Sequence, residues 1–153
     1  MNVRKFPCVA ILVMYAATAQ EQLPRFEDYR ATESFKGKPA APVLRTSEDR
    51  MYRTRIREGT ATGPNFAGYL TIVEWGCGAG CVSIAVVDAR TGAVYRAPFR
   101  ALSTETAEAL EYKLDSRMLL VRGCPEEANC GSYYYEWTGS AFRLIRKIPA
   151  APK

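Results

Sequence analysis

The pattern of apolar and polar positions predicts one helix followed by a series of strands. Residues 47–58 open with acids in the first turn behind a hydroxyl cap and continue in good helix formers up to Gly59, a typical stop. Residues 69–75 alternate as a strand does, and residues 82–87 are apolar on both faces apart from Ser83, which is typical of a central strand. Further strands are predicted at 93–98, 112–114, 117–122, 133–137 and 142–148, with a short helix from Ser103 or Thr104 to Leu110.

Together these elements predict an α+β fold that is mostly β, with an antiparallel meander sheet of six to seven strands and one helix preceding it. Residues 20–44 are irregular and rich in proline, and we expect an extended arm held on the domain by Phe26, Tyr29 and Phe35. The single domain then covers residues 45–149, and residues 150–153 form a tail.

The first 19 residues have the three parts of a signal peptide. Arg4 and Lys5 are followed by an apolar run over 6–16 and by a small-residue cleavage site at 17–19, so cleavage before Gln20 leaves 134 of the 153 residues. A buried N-terminal helix or a retained anchor is the alternative. The signal peptide predicts a periplasmic or secreted protein that has no membrane association after cleavage.

Charge and composition narrow the possible functions. The 21 basic and 16 acidic side chains give a net charge of +5, which falls to +3 once the signal peptide is removed. This mild charge, together with export, predicts no nucleic-acid partner. Because the chain has no histidine, Ser-His and Cys-His nucleophiles and histidine metal sites are excluded, and we predict no cofactor.

Four cysteines remain after cleavage, an even number that predicts two disulfides in an oxidising compartment. Spacing favours local pairing of Cys77 with Cys81, across a glycine-rich loop in a hairpin, and of Cys124 with Cys130. Cross pairing is the alternative, because closing a longer loop restricts the unfolded chain more.

Three segments resemble a group of small exported bacterial proteins of unknown function. They are Gly-Pro-Asn-Phe-Ala-Gly at 63–68, Trp-Gly-Cys-Gly-Ala-Gly-Cys at 75–81 and Asp-Ala-Arg-Thr-Gly-Ala-Val at 88–94, with further similarity at 115–119 and 134–137. The resemblance covers roughly residues 50–145. It implies export and a shared fold, and it implies no activity.

Aromatic residues supply the candidate partner-binding positions. Tyr133, Tyr135 and Trp137 share one face of a predicted strand, and with Trp75 they would form a platform for a sugar or peptide, beside Asn65 in the turn at 63–65. The alternative is that these rings fill the sheet face, as aromatic residues in strands do. The row of Arg50, Arg53 and Arg57 on the helix is typical of a solvated surface.

The leading hypothesis is an exported, disulfide-stabilised binding module whose partner is a protein, a peptide or an envelope polymer. One alternative is a small envelope hydrolase with carboxylates as its catalytic groups, for which Glu74, Asp88, Asp115 and Glu136 are available. Another is a redox-active or zinc-binding thiol protein, which free cysteines would indicate. No residue is predicted to be catalytic.

Overall fold

The computed structural model describes residues 22–104, 108–125 and 127–151. The predicted signal peptide, residues 1–19, lies outside the described residues, as do the last two residues of the tail. No helix in the described ranges is long and apolar enough to cross a membrane. The described chain comprises most of the predicted arm and nearly all of the predicted domain.

One antiparallel sheet dominates the molecule, which confirms the predicted mostly β fold. Along the sheet the long path is β1-β2-β4-β6-β7-β8, while β3 pairs with β2 and β5 pairs with β6. Chain neighbours are sheet neighbours at both ends, as a meander requires, and the short β3, β4 and β5 fill the middle. The eight strands are β1 Leu70–Gly78, β2 Cys81–Asp88, β3 Val94–Tyr95, β4 Leu102–Ser103, β5 Leu110–Tyr112, β6 Met118–Pro125, β7 Gly131–Trp137 and β8 Phe142–Pro149.

The predicted helix over 47–58 is divided into two, α1 (Ser47–Met51) and α2 (Arg53–Ala61). Its start is as predicted, because the Thr46 hydroxyl accepts the Asp49 N–H at 3.0 Å while the Asp49 carboxylate accepts the Thr46 N–H at 2.8 Å. Tyr52, between the two helices, has φ −97° and ψ 18°, outside the helical range. The stop predicted at Gly59 is two residues early.

The prediction of a helix between Ser103 and Leu110 is wrong for those residues of the segment that the structure describes. Its first residue belongs to β4 and its last to β5, while residues 105–107 lie outside the described chain. β4 and β5 have only two and three residues, so neither shows the alternation by which longer strands are recognised.

The sheet bends so that its two halves enclose a central core. The core holds apolar side chains from both β1–β2 and β6–β7, including the fully buried Leu70, Val86, Leu119 and Val121. On the outer side of β2, Ala85 and Val87 pack against Ile56 of α2. Both faces of β2 are therefore covered, as its apolar pattern predicts.

The N-terminal arm covers the outer side of the other half of the sheet. A short 3-10 helix, Phe26–Tyr29, packs against Met118, Leu120 and Tyr134. Further along, the Phe35 N–H donates to the Gly68 carbonyl at 2.8 Å. At Gly68, φ is +82° and a β-carbon would lie 1.8 Å from the carbonyl oxygen of Glu33, so only glycine allows the arm this close.

Candidate functional site

Tyr133, Tyr135 and Trp137 of β7 pack in or against the central core and form no exposed platform. Tyr133 is 7% exposed and Trp137 is 1% exposed, and both pack within the central cluster. The Trp137 indole N–H donates to the Tyr69 hydroxyl at 3.0 Å, so its polar atom is satisfied inside the protein. Tyr135 is half-buried, and burial raises the pKa of its hydroxyl. The hypothesis of one platform with Trp75 is wrong because the two halves of the sheet enclose the β7 face.

Asn65 has a structural role that the sequence left open. Its side-chain amide donates to the Ile72 carbonyl at 2.9 Å, and its side-chain oxygen accepts the Ile72 N–H at 2.7 Å. The amide thereby satisfies both backbone groups at the outer edge of β1, as a paired strand would. Asn65 therefore stabilises the sheet edge.

Trp75 lies apart from the other predicted aromatic residues, beneath the helix pair. Its ring packs against that of Tyr52 with centroids 4.7 Å apart and planes tilted by 33°. Close contact between α2 and β1 fixes this position, since a β-carbon on Gly59 would meet the Val73 side chain at 2.4 Å. The break at Tyr52 directs that ring over the end of β1.

A groove of about 210 Å³ opens beside Trp75, between the helix pair and the segment that connects β2 with β4. Tyr95 and Phe99 extend its aromatic lining, and Ile56, Ala85 and Val94 contribute apolar side chains. The Tyr95 ring also packs edge-on against the buried Trp137 ring, with centroids 4.9 Å apart. The groove therefore adjoins the central core. The groove is the candidate functional site.

The indole N–H of Trp75 is a donor without an acceptor. Its Nε1 atom is buried and makes no hydrogen bond with any residue that the structure describes. A buried donor left unsatisfied costs about 1–3 kcal/mol. Trp75 lines the groove, so a bound ligand would lie against the residue that carries this donor.

Three arginines and two carboxylates line the rim of the groove. The Arg45 and Arg96 side chains are exposed, and neither has an ion-pair or hydrogen-bond partner within residues 22–104, 108–125 or 127–151. Arg100 and Glu48 also reach the rim. Burial would raise the pKa of Asp49, but hydrogen bonds from Thr46 and Arg45 lower it, so Asp49 stays charged while it caps α1.

Three of the four candidate catalytic carboxylates are bound by other side chains. Burial would raise the pKa of Glu136, but Arg143 and Arg117 bind its carboxylate and lower the pKa below its usual value. Asp88 is likewise held at a lowered pKa by Arg90 despite its burial. Glu74 accepts the Tyr112 hydroxyl at 2.6 Å, and Asp115 is exposed in a turn.

Both disulfides are local, as the spacing predicts: Cys77 bonds Cys81 and Cys124 bonds Cys130. The two loops are brought to the same end of the sheet, because Ser103 of β4 lies opposite both Cys81 and Cys124. The bonded sulfurs provide no thiolate for zinc or for thiol chemistry. Their role in the described chain is to fix the two hairpin ends.

A larger and more open cavity of about 580 Å³ lies between the arm and β8. Its lining begins at Gln22, the first described residue, and includes Tyr29 and Lys147. The aromatic groove, in contrast, is lined entirely by residues well inside the described chain. We therefore base the functional argument on the groove.

No family model, no curated protein and no solved structure matches this chain. The function must therefore be inferred from the geometry of the groove itself.

Sequence reasoning identified Trp75 but missed the rest of the groove. One signal was available, because Tyr52 and Ile56 are four residues apart and share a helix face that must meet the sheet. Tyr95 lies in the strand predicted over 93–98, and Phe99 directly follows that strand. Nothing in the sequence places that segment opposite the helix.

Proposed function

We propose that this protein is an exported, disulfide-stabilised binding module that holds its partner in the groove beside Trp75. The partner is a protein, a peptide or an envelope polymer. The observation that carries the proposal is a preformed aromatic groove with an indole donor that has no acceptor in the described chain. Such concave apolar sites with few placed polar groups are typical of binding sites.

Export is supported by the signal-like leader and by the cysteines. Disulfides persist in oxidising compartments, and all four cysteines of the expected mature chain are bonded. The two bonds hold short loops and therefore act on local shape more than on global stability. A rigid scaffold with two closed loops suits a module that presents one fixed surface.

A binding role has better support than the hydrolase alternative. Acid–base hydrolysis by two carboxylates requires one of them to keep its proton near neutral pH, and hence a raised pKa. Glu136 and Asp88 instead have lowered pKa values because arginines bind them. Both carboxylates stabilise the fold as ion-pair partners.

The test starts from protein purified from the exported fraction of the expressing cells. Mass spectrometry without reduction should find Gln20 at the N-terminus and both local disulfides. Intrinsic fluorescence should then detect binding to at least one member of a panel of short peptides, soluble peptidoglycan fragments and acidic oligosaccharides.

Two variants show whether any binding involves the groove. Trp75→Ala removes the indole ring that lines the groove and should abolish the binding. Binding to this variant is followed by calorimetry. Arg57→Ala, on the exposed side of α2, should leave binding unchanged. Free thiols, or binding that Trp75→Ala leaves intact, would contradict the proposal.

A further inference from the structure

We infer that the groove binds an acidic peptide, with one apolar side chain inserted beside Trp75 and its carboxylates at Arg45 and Arg96. This inference rests on the proposed function and specifies the partner class. It follows from the size of the groove, its lining and its unpaired charges.

Size limits what can enter. Pockets for drug-sized ligands are about 300–1,000 Å³, whereas this groove is about 210 Å³. That volume suits one large side chain rather than a whole polycyclic ligand. The flanking residues of a peptide would lie along the rim, where the arginines are.

The lining favours an apolar side chain over a sugar ring. Ile56, Ala85 and Val94 supply no hydrogen-bonding side chains, so the part of a ligand that packs on them should be apolar. A phenyl or aliphatic side chain has no hydroxyls that would lose water there. It can pack against the aromatic side chains that line the groove.

The rim selects for negative charge. Arg45 and Arg96 reach it, and of its two carboxylates Asp49 already accepts hydrogen bonds from the Arg45 and Thr46 backbone. Arg45 and Arg96 have no ion-pair partner among the described residues. Guanidinium groups bind carboxylates with two parallel hydrogen bonds, which suits aspartate or glutamate beside the inserted side chain.

The indole donor completes the match. The Trp75 Nε1 atom is buried and has no acceptor within the described chain, and Trp75 lines the groove. A peptide carbonyl or carboxylate oxygen accepts this N–H if binding moves the indole ring enough to bring the N–H into the groove. The indole donor and the arginines therefore both favour a ligand that has hydrogen-bond acceptors.

Isothermal titration calorimetry of the oxidised protein with matched tripeptides tests the inference. The acetylated and amidated tripeptide Asp-Phe-Glu should bind, and Asn-Phe-Gln should bind about tenfold more weakly because it lacks both charges. Asp-Gly-Glu, which lacks the inserted side chain, should show no measurable binding.

Variants locate the contacts. Arg45→Ala and Arg96→Ala should each weaken Asp-Phe-Glu binding about fivefold, and Trp75→Phe should weaken it about tenfold by removing the donor. Arg57→Ala is the matched control and should bind as the unmodified protein does. Circular dichroism of each variant verifies that it is folded.

Equal affinity for Asp-Phe-Glu and Asn-Phe-Gln would overturn the charge assignment while leaving a groove that binds peptides. Binding of alginate oligomers in place of the tripeptides, with the same dependence on Arg96, would overturn the peptide assignment but retain a binding module. Failure of every ligand, including the whole panel used for the proposed function, would overturn both proposals.

Discussion

The two tryptophans lie in contrasting regions of the molecule, one in the central core and one in the groove. Trp137 is 1% exposed, and its N–H donates to the Tyr69 hydroxyl. Trp75 is half-buried beneath the helix pair, and its N–H has no acceptor among the described residues. Both residues occupy strands, and both pack against a tyrosine ring.

The contrast shows how a core differs from a binding site built from the same residue types. In the core every large side chain is enclosed and the polar atom of Trp137 is satisfied, so the arrangement favours stability. In the groove, packing is incomplete and the Trp75 N–H has no acceptor among the described residues, which lowers stability. The side chains that line the groove remain able to interact with a ligand. The following substitutions test this division, starting with the largest expected effect.

Truncating the two tryptophans should give very different losses of stability. Trp137→Ala removes a fully buried ring and should lower the free energy of unfolding by about 3–5 kcal/mol. Trp75→Ala removes a half-buried ring and should lower it by no more than about 2 kcal/mol. Urea denaturation followed by circular dichroism measures both, and equal losses would show that the groove belongs to the core.

Gly68→Ala tests how closely the N-terminal arm must approach the sheet. The added β-carbon meets the Glu33 carbonyl oxygen, whereas at Gly139, also at positive φ, a β-carbon meets nothing within 4 Å. Both alanines bear the strain of a positive φ, but only the alanine at position 68 also displaces the arm. Gly68→Ala should be more destabilising than Gly139→Ala by about 1–3 kcal/mol. Similar melting temperatures for the two variants would show that the arm does not depend on this contact.

Conservative substitution isolates the indole donors. Trp137→Phe breaks the hydrogen bond to Tyr69 and should destabilise the protein by about 1 kcal/mol beyond the loss of ring area. Trp75→Phe removes a donor that bonds no described residue, and its stability should remain within about 0.5 kcal/mol of the unmodified protein. A clear loss with Trp75→Phe would reveal an acceptor inside the protein and remove the main argument for the groove.

Acid should lower the stability of the protein through Glu136, the neighbour of Trp137 in β7. The folded pKa of Glu136 is below its unfolded value of 4.5, because Arg143 and Arg117 outweigh burial. Its contribution is therefore fully present above pH 4.5 and lost as the pH falls through the folded pKa. Glu136 is buried but Arg143 is 69% exposed, and solvent screens that side of the pair, so we expect a contribution of only about 1 kcal/mol, the smallest effect. Glu136→Gln should flatten the acid limb of stability against pH, and an unchanged limb would contradict the assignment.

The sequence predicted the long strands because their patterns are local. Residues 82–87 are apolar on both faces, and in the structure one face of β2 meets the core while the other meets Ile56. The local pairing of Cys77 with Cys81 also followed from spacing alone. The strand at 102–103 was missed, and the strand at 110–112 was predicted two residues late, because so few residues show no periodicity.

The location of the site was not predictable from the same patterns. Alternation showed that Tyr133, Tyr135 and Trp137 share a face, but it did not show that the other half of the sheet covers that face. The groove combines side chains from both helices, from β1, β2 and β3, and from the segment after β3. Such an arrangement depends on long-range packing, which no single stretch of sequence specifies.

The most direct test of the groove is nuclear magnetic resonance of the ¹⁵N-labelled protein, which should show one indole signal for each of its two tryptophans. Trp75→Phe assigns the signals. On titration with the acetylated and amidated tripeptide Asp-Phe-Glu, the Trp75 signal should shift until saturation while the Trp137 signal stays fixed. A fixed Trp75 signal under conditions where calorimetry shows binding, or a shift confined to Trp137, would contradict the account.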